Sequence, residues 1–315
     1  MLLTERDIPT PQSISPQAQA MLEAAASRNR AAMPETLEAQ PWREAIARAD
    51  AEWIPMLRGN DALPGITDRV ETIGGVKVYV FEPDQPVSDG IYLDIHGGGF
   101  VMLGGEACRL MAKLTAVRLG VRVYSVDYRM PPDHPYPAAL DDSMTVYREL
   151  LGRYGADKVV VGGASAGGNI AAALALKARE TGVPMPAGLV LLTPALDLTE
   201  SGDTFATNRD IDVVLRGPIP WMVRLYAGEA DLADPLLSPL FADFTKGFPP
   251  TFLQSGTRDL FLSNVVRMHR ALRKAAVPCE LHVFEAMPHG GFGGAPEDME
   301  LGLEMRRFVA ERLGA

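Results

Sequence analysis

Three observations predict an α/β fold with a mainly parallel central sheet. From about residue 66 onward, short strand-like runs alternate with helical ones, the pattern of βαβ units whose sheet is covered by helices on both faces. One run, Val159-Val160-Val161, is wholly β-branched, which suits a buried strand. Two of the strand-like runs end directly in glycine-rich turns, at 96–100 and at 162–168.

Taken in order, residues 1–60 read as helical. Ala18, Met21, Leu22 and Ala25 fall on one helix face, and Pro34, Pro41, Pro55 and Pro64 punctuate the segment. Val76-Lys77-Val78-Tyr79-Val80-Phe81 alternates as a half-buried strand, and Ile91-Tyr92-Leu93-Asp94-Ile95 follows as another. A helix is expected over 104–119, a strand over 121–126 and a helix over 136–154. The strand at 159–161 leads into a small-residue helix at 170–176, followed by strands at 189–192 and 251–254. A helix at 264–276, a strand at 280–284 and a helix at 297–313 complete the chain. Between 197 and 249 there is no clear strand, only short helical pieces around 218–226 and scattered prolines. An insertion of that length is expected to be functional, such as a lid. The expected organisation is an N-terminal helical cap segment at 1–60, a catalytic domain at 61–196 and 250–315, and a cap insertion at 197–249.

Composition narrows the function. The 315 residues are 47% hydrophobic and 22% charged, enough apolar material for one large core or two small ones. A formal charge of −10 argues against nucleic acid or an anionic membrane surface as partner. The uncharged run 159–176 is interrupted by four glycines, a serine and an asparagine, so no membrane span is read there. Cys108 and Cys279 are the two cysteines, too few for a disulfide framework or a cysteine-based zinc cluster. The five histidines show no paired metal-ligand spacing. The first seven residues lack the basic-then-apolar order of a secretory signal, and a cytoplasmic protein is the default expectation.

Chemistry is concentrated in Gly163-Ala164-Ser165-Ala166-Gly167, a G-x-S-x-G pattern between strand and helix. A strand that turns straight into a helix sets its serine on a tight corner at the carboxyl end of the sheet, with the helix N–H groups pointing at the same spot. In a chain with 30 glycines the pattern arises easily by composition, so it needs company. His96-Gly97-Gly98-Gly99-Phe100 supplies it, since a glycine run after a strand lets backbone N–H groups approach a ligand. A serine nucleophile also needs a base and a carboxylate to orient that base, in the chain order Ser, Asp or Glu, His. Of the histidines after Ser165, His269 falls within an expected helix and His282 within an expected strand. His289 lies in a loop beyond a strand end, where catalytic residues of open parallel sheets collect. For the carboxylate, Asp259 follows the strand at 251–254; Glu285 is nearer His289 in sequence but shares its strand end and is the lesser candidate.

With these residues in place the chain resembles the hormone-sensitive-lipase-like family of α/β-hydrolases, the bacterial family IV esterases. The likeness is carried by 96–100, Asp127-Tyr128-Arg129, 134–139, 163–169, Asp234-Pro235-Leu236, Asp259 and Pro288-His289-Gly290. The resemblance implies an α/β-hydrolase fold with a helical cap. It implies Ser165 as nucleophile, Asp259 and His289 as its triad partners, and the N–H groups of Gly98, Gly99 and Ala166 as oxyanion donors. His96 would shape its loop, and Asp127, Arg129 and Asp142 would form a structural charge network beneath the site. Neither a metal nor an organic cofactor is implied. The expected activity is hydrolysis of short acyl esters by a serine carboxylesterase through an acyl-enzyme. A lactonase or small-molecule deacetylase would use the same machinery. A ligand-binding receptor on this fold would be expected to have lost the base, whereas His289 is present. The family's habit of pairing through its last strand allows a homodimer. Ala164, where the family commonly has an acidic residue, and the run 260–264 after Asp259 depart from the family pattern and bear on subgroup and substrate.

Overall fold

The computed structural model describes residues 7–27, 32–216 and 219–315. The chain start at 1–6 and Pro218, at the head of the expected helical piece, lie outside the described residues. Strands β1 (Ile66–Ile73), β2 (Val76–Pro83), β3 (Ile91–Ile95), β4 (Arg122–Val126), β5 (Val159–Ala164), β6 (Gly188–Leu192), β7 (Thr251–Gly256) and β8 (Cys279–Phe284) form one sheet. Their spatial order is β1-β2-β4-β3-β5-β6-β7-β8. β1 pairs antiparallel with β2, and β2 with β4; every pairing from β4 through β8 is parallel. The helices are α1 (Pro16–Ser27), α2 (Ala39–Leu57), α3 (Glu106–Leu119), α4 (Ala138–Tyr154), α5 (Ala166–Glu180), α6 (Thr204–Thr207), α7 (Ile219–Ala227), α8 (Leu262–Lys274) and α9 (Pro296–Leu313).

The period of two along each strand divides the core. Ile91, Leu93 and Ile95 of β3 face one side and Tyr92 the other; β5 splits Val159 and Val161 from Val160, and β6 splits Leu189 and Leu191 from Val190. Leu140, Ile170, Leu174 and Met268 of α4, α5 and α8 close the first face. Ala112 and Ala116 of α3 with Met305, Phe308 and Val309 of α9 close the second. Both faces are covered by helices, which is why these strands read as largely apolar runs, broken in β3 by the buried Asp94. The strand order reverses between β3 and β5. At such a point the loops leaving the two carboxyl ends diverge and leave a crevice. The loop at 96–100 and the corner at Ser165 are those two exits.

Two regions outside the sheet approach this crevice. The apolar stripe of α1 is buried, with Ala18 and Leu22 packed on Val213 of the insertion and on Met287, Phe292 and Ala295 beyond β8. Ser15 fastens that end to α9, its N–H and Oγ donating to the Glu297 carboxylate at 2.7 and 2.8 Å. From α2, Trp42 is buried against Val101 and Leu225. The expected charge network is two separate arrangements. Asp142 takes the Arg129 guanidinium and backbone N–H at 2.7–3.1 Å, whereas Asp127 accepts from Gly105 N and pairs with Lys77.

A Cβ on Gly167 would overlap the Ile95 carbonyl oxygen and sit 2.6 Å from that of His96, both of them backbone atoms that cannot yield as a side chain would. In α9, a Cβ on Gly302 would meet nothing nearer than 3.7 Å. Gly167→Ala should therefore destabilise the fold by about 1–3 kcal/mol or more, as overpacking does. Gly302→Ala should leave stability unchanged or raise it by about 0.5–1 kcal/mol through helix propensity. Urea unfolding of the two variants beside the wild type measures both; equal effects would contradict the close approach of α5 to β3.

Candidate active site

Ser165 stands where β5 ends and α5 begins, at φ 57° and ψ −118°. That conformation is costly for a residue with a Cβ and persists only where its surroundings hold it. Ser165 N donates to Leu192 O at 2.9 Å, and Ser165 O accepts from Asn169 N and Ala195 N at 3.1 and 3.2 Å. Asn169 then anchors the start of α5, its Nδ2 donating to Ala195 O at 2.6 Å and Leu237 O at 2.8 Å. The Ala166 N–H occupies the first helical position, where no intrahelical acceptor exists, and the helix N-terminus favours negative charge beside it.

The facing loop brings two further donors. Gly98 and Gly99 adopt φ of 106° and 61°, a region that residues with a Cβ avoid. Among the described residues, neither of their N–H groups has an acceptor. The loop is held from behind by His96, whose ring stacks on Tyr128 at 4.0 Å, while its backbone carbonyl accepts from Tyr128 Oη at 2.9 Å. Burial pushes the His96 pKa down to about 4, so the ring is neutral and its Nδ1–H donates to Gly97 O at 2.7 Å. Phe100 stacks on Tyr226 of α7 at 4.1 Å and ties the loop to the insertion.

His289 and Asp259 meet in a buried pair. His289 Nδ1 lies 3.0 Å from Asp259 Oδ1, with the histidine 6% and the aspartate 0% exposed. An ionised carboxylate only accepts, so Nδ1 carries the proton and Nε2 the lone pair. Asp259 is further held by Ser255 Oγ on Oδ2 at 2.6 Å and by Phe261 N on Oδ1 at 3.0 Å. The Phe261 ring meets the imidazole edge-on at 5.0 Å. Glu285 is exposed on the turn after β8, His282 stacks on Phe252, and His269 is half-buried on α8. Ser165 Oγ has no hydrogen-bond partner among the described residues; such bonds are often loose before substrate arrives.

A second buried carboxylate, unforeseen in the sequence, lies beside this pair. Asp212, in the insertion, is 0% exposed, and one of its oxygens comes within 4.8 Å of the ligating atoms of Asp259 and His289. Burial raises its pKa, opposed by the neighbouring His289. It accepts from Val214, Leu215, Leu260 and His289 N–H at 2.8–3.3 Å. One turn earlier, Asn208 Nδ2 donates to Thr257 O and Asp259 O at 3.1 and 2.9 Å. No sequence signal marked either residue, since both lie in a segment without periodicity.

Ser165, Ala166, Gly97, Gly98, Gly99 and His289 all line one cavity of about 410 Å³. Its walls are mainly apolar, from Ala45, Ala49, Trp53 and Met56 of α2 and from Phe205, Val214, Leu215, Ile219 and Met222 of the insertion. The stripe of α1 backs the loop of His289 and does not line the cavity; α2 does. The donor sets suit hydrogen bonding better than a metal. In one, Asp212, Asp259 and His289 are already committed to N–H and O–H donors. In the other, His96, Cys108 and Asp127, burial pushes the Cys108 thiol well up, which opposes a thiolate ligand, and Lys77 neutralises Asp127. The whole arrangement offers a hydroxyl on a strained corner, a carboxylate-oriented imidazole, and N–H groups without acceptors around one apolar space.

Comparison with known proteins places this geometry in a lineage. Residues 92–292 match a family described as the alpha/beta hydrolase fold. The chain is 36% identical over 240 residues to Esterase LipI of Mycobacterium tuberculosis, covering 72% of this chain and 75% of that protein. It superposes on the crystal structure of an esterase E25 with a TM-score of 0.92 at 37% identity, covering 99% of this chain and 98% of the other. The hormone-sensitive-lipase homologue EstE7 from a metagenome library gives 0.76 at 30% identity, covering 87% and 97%. Among the described residues no helix is long and apolar enough to cross a membrane. By fold, by matched sequence and by neighbouring structures, the chain belongs to the α/β-hydrolase family, in its hormone-sensitive-lipase-like group of carboxylic ester hydrolases.

Proposed function

We propose that this chain is a serine carboxylesterase acting on short acyl esters through an acyl-enzyme. Ser165 is the nucleophile, His289 its base and then the acid, and Asp259 the carboxylate that orients His289. The observation that carries this reading is the opening of the buried His289–Asp259 pair, Ser165, and the acceptor-free N–H groups of Gly98 and Gly99 onto one cavity. Ser165 Oγ attacks the ester carbonyl carbon as His289 Nε2 takes its proton. The oxyanion is held by the N–H groups of Gly98, Gly99 and Ala166. Collapse expels the alcohol, which receives the proton from His289, and water then repeats the sequence on the acyl-enzyme. A largely apolar cavity of about 410 Å³ accords with a short acyl chain and a modest alcohol. Residues 1–60 and 197–249 act together as the cap, keeping water from the intermediate. On this reading the edge strand β8 is where a second copy would pair.

Ser165→Ala should lower kcat for p-nitrophenyl butyrate by about 10⁴–10⁶ while leaving the circular dichroism spectrum unchanged; near-normal turnover would sink the nucleophile assignment. Asp259→Asn should cost about 10⁴ in kcat by favouring the wrong imidazole tautomer, and Glu285→Gln far less. A reversed ranking in the same assay would move the third triad position to Glu285. A chain starting at Arg58 should keep a cooperative thermal transition, because the sheet and its covering helices come later. Its kcat/KM should fall most steeply for the longer acyl esters, because α2 walls the cavity. Unchanged kinetics across a graded ester series would remove α2 from the cap.

A further inference from the structure

We propose that Asn208 and Asp212 are positioning residues: a clamp by which the insertion holds the loops of Asp259 and His289 in their working geometry and ties both to the cavity wall. This rests on the reading of His289 and Asp259 as the partners of Ser165. The two residues lie one turn apart, Asp212 N donating to Asn208 O at 2.9 Å. Their side chains divide the labour by chemistry. The amide N–H₂ of Asn208 gives to Thr257 O and Asp259 O; the carboxylate of Asp212 receives from Leu260 N on Oδ2 at 2.8 Å and from His289 N on the same oxygen at 3.3 Å. The loop of Asp259 is therefore gripped at three residues, Thr257, Asp259 and Leu260, and His289 is held at two points, its backbone by Asp212 and its ring by Asp259.

Only an ionised carboxylate serves at position 212. Four N–H groups from three separate segments converge there, and an ionised carboxylate offers about four acceptor sites without a donor among them. Its other oxygen, Oδ1, accepts from Val214 N and Leu215 N at 2.8 and 3.1 Å. Those two residues line the cavity. One buried side chain thus fastens the wall that a substrate touches to the backbone of the base. An asparagine at 212 would turn an N–H₂ group toward either pair of N–H donors and lose that pair.

The test compares full-length wild type with Asp212→Asn and Asn208→Ala on p-nitrophenyl acetate and p-nitrophenyl butyrate. Active sites are counted at the end point of reaction with an organophosphonate, which a misaligned base slows but does not diminish. Asp212→Asn should lose about 10²-fold in kcat per counted site, the scale of a misplacement near 1 Å, with KM within about threefold of wild type. Asn208→Ala, which leaves the carboxylate in place, should lose about tenfold in kcat with the same KM, and decides the matter should Asp212→Asn fail to fold. The clamp is overturned if kcat per counted site stays within about twofold of wild type, or if the whole loss is accounted for by fewer countable sites and a lower melting temperature. Undiminished hydrolysis by Ser165→Ala would overturn the triad reading, and the clamp with it.

Discussion

The backbone of α5 passes so near the carboxyl end of β3 that no side chain fits between them. At Gly163 and at Gly167 a Cβ would overlap the Ile95 carbonyl oxygen, and at Gly97 it would sit 2.9 Å from Ala164 O. Sheet and helix are joined without a linking loop, so the single residue between them, Ser165, takes the strain of the turn. The same closeness brings the first N–H of α5 beside the glycine loop leaving β3. Ser165 and the N–H groups that face it therefore share one cause, the contact of β3, β5 and α5, and cannot be moved apart without opening the core.

That contact also sets the demands on the rest of the site. Two carboxylates and an imidazole are buried together beside Ser165, and buried charge is tolerated only where every lone pair is met. Asp259 meets its share with Ser255, Phe261 N and His289; Asp212 does so with four backbone N–H groups. The insertion thus does more than cover the cavity, because without it the backbone N–H groups of Leu260 and His289 would lose their acceptor. The cavity wall and the loops of Asp259 and His289 are one hydrogen-bonded assembly; α1 joins it through apolar contacts at Val213 and Met287 and through the Ala26 carbonyl, which accepts from Arg216 Nη1, and α2 through apolar contacts at Val101 and Leu225.

Much of this was legible beforehand, for a local reason. Strand and helix periods are written into consecutive residues, so the boundaries of β3 at Ile91–Ile95 and of the helix ending at Leu119 were read to within a residue or two, as was the strand at Gly188–Leu192. The glycine turns at 96–100 and 163–167 were visible because a backbone that must approach another backbone excludes side chains, and that exclusion shows as composition. Asp259 and His289 stand out in the sequence by their places just beyond strand ends, and the structure brings their side chains to 3.0 Å.

What stayed hidden has equally physical grounds. The residues of 197–249 have no common period, so neither Asn208 nor Asp212 could be distinguished from any turn-forming polar residue there. Their partners on the loops of Asp259 and His289 lie 48 to 77 residues away along the chain. The stripe of α1 was legible as a surface to be buried, but its destination, behind the loop of His289, was not, and α2 took the place at the cavity wall. Sequence by itself determined the α/β alternation, the corner at Ser165 and the donors facing it, since each follows from the shape and hydrogen bonding of neighbouring residues. Only the tertiary structure decided which distant polar groups complete the buried pair and which helix closes the cavity, because a buried carboxylate is satisfied by whatever N–H groups the folded chain brings to it.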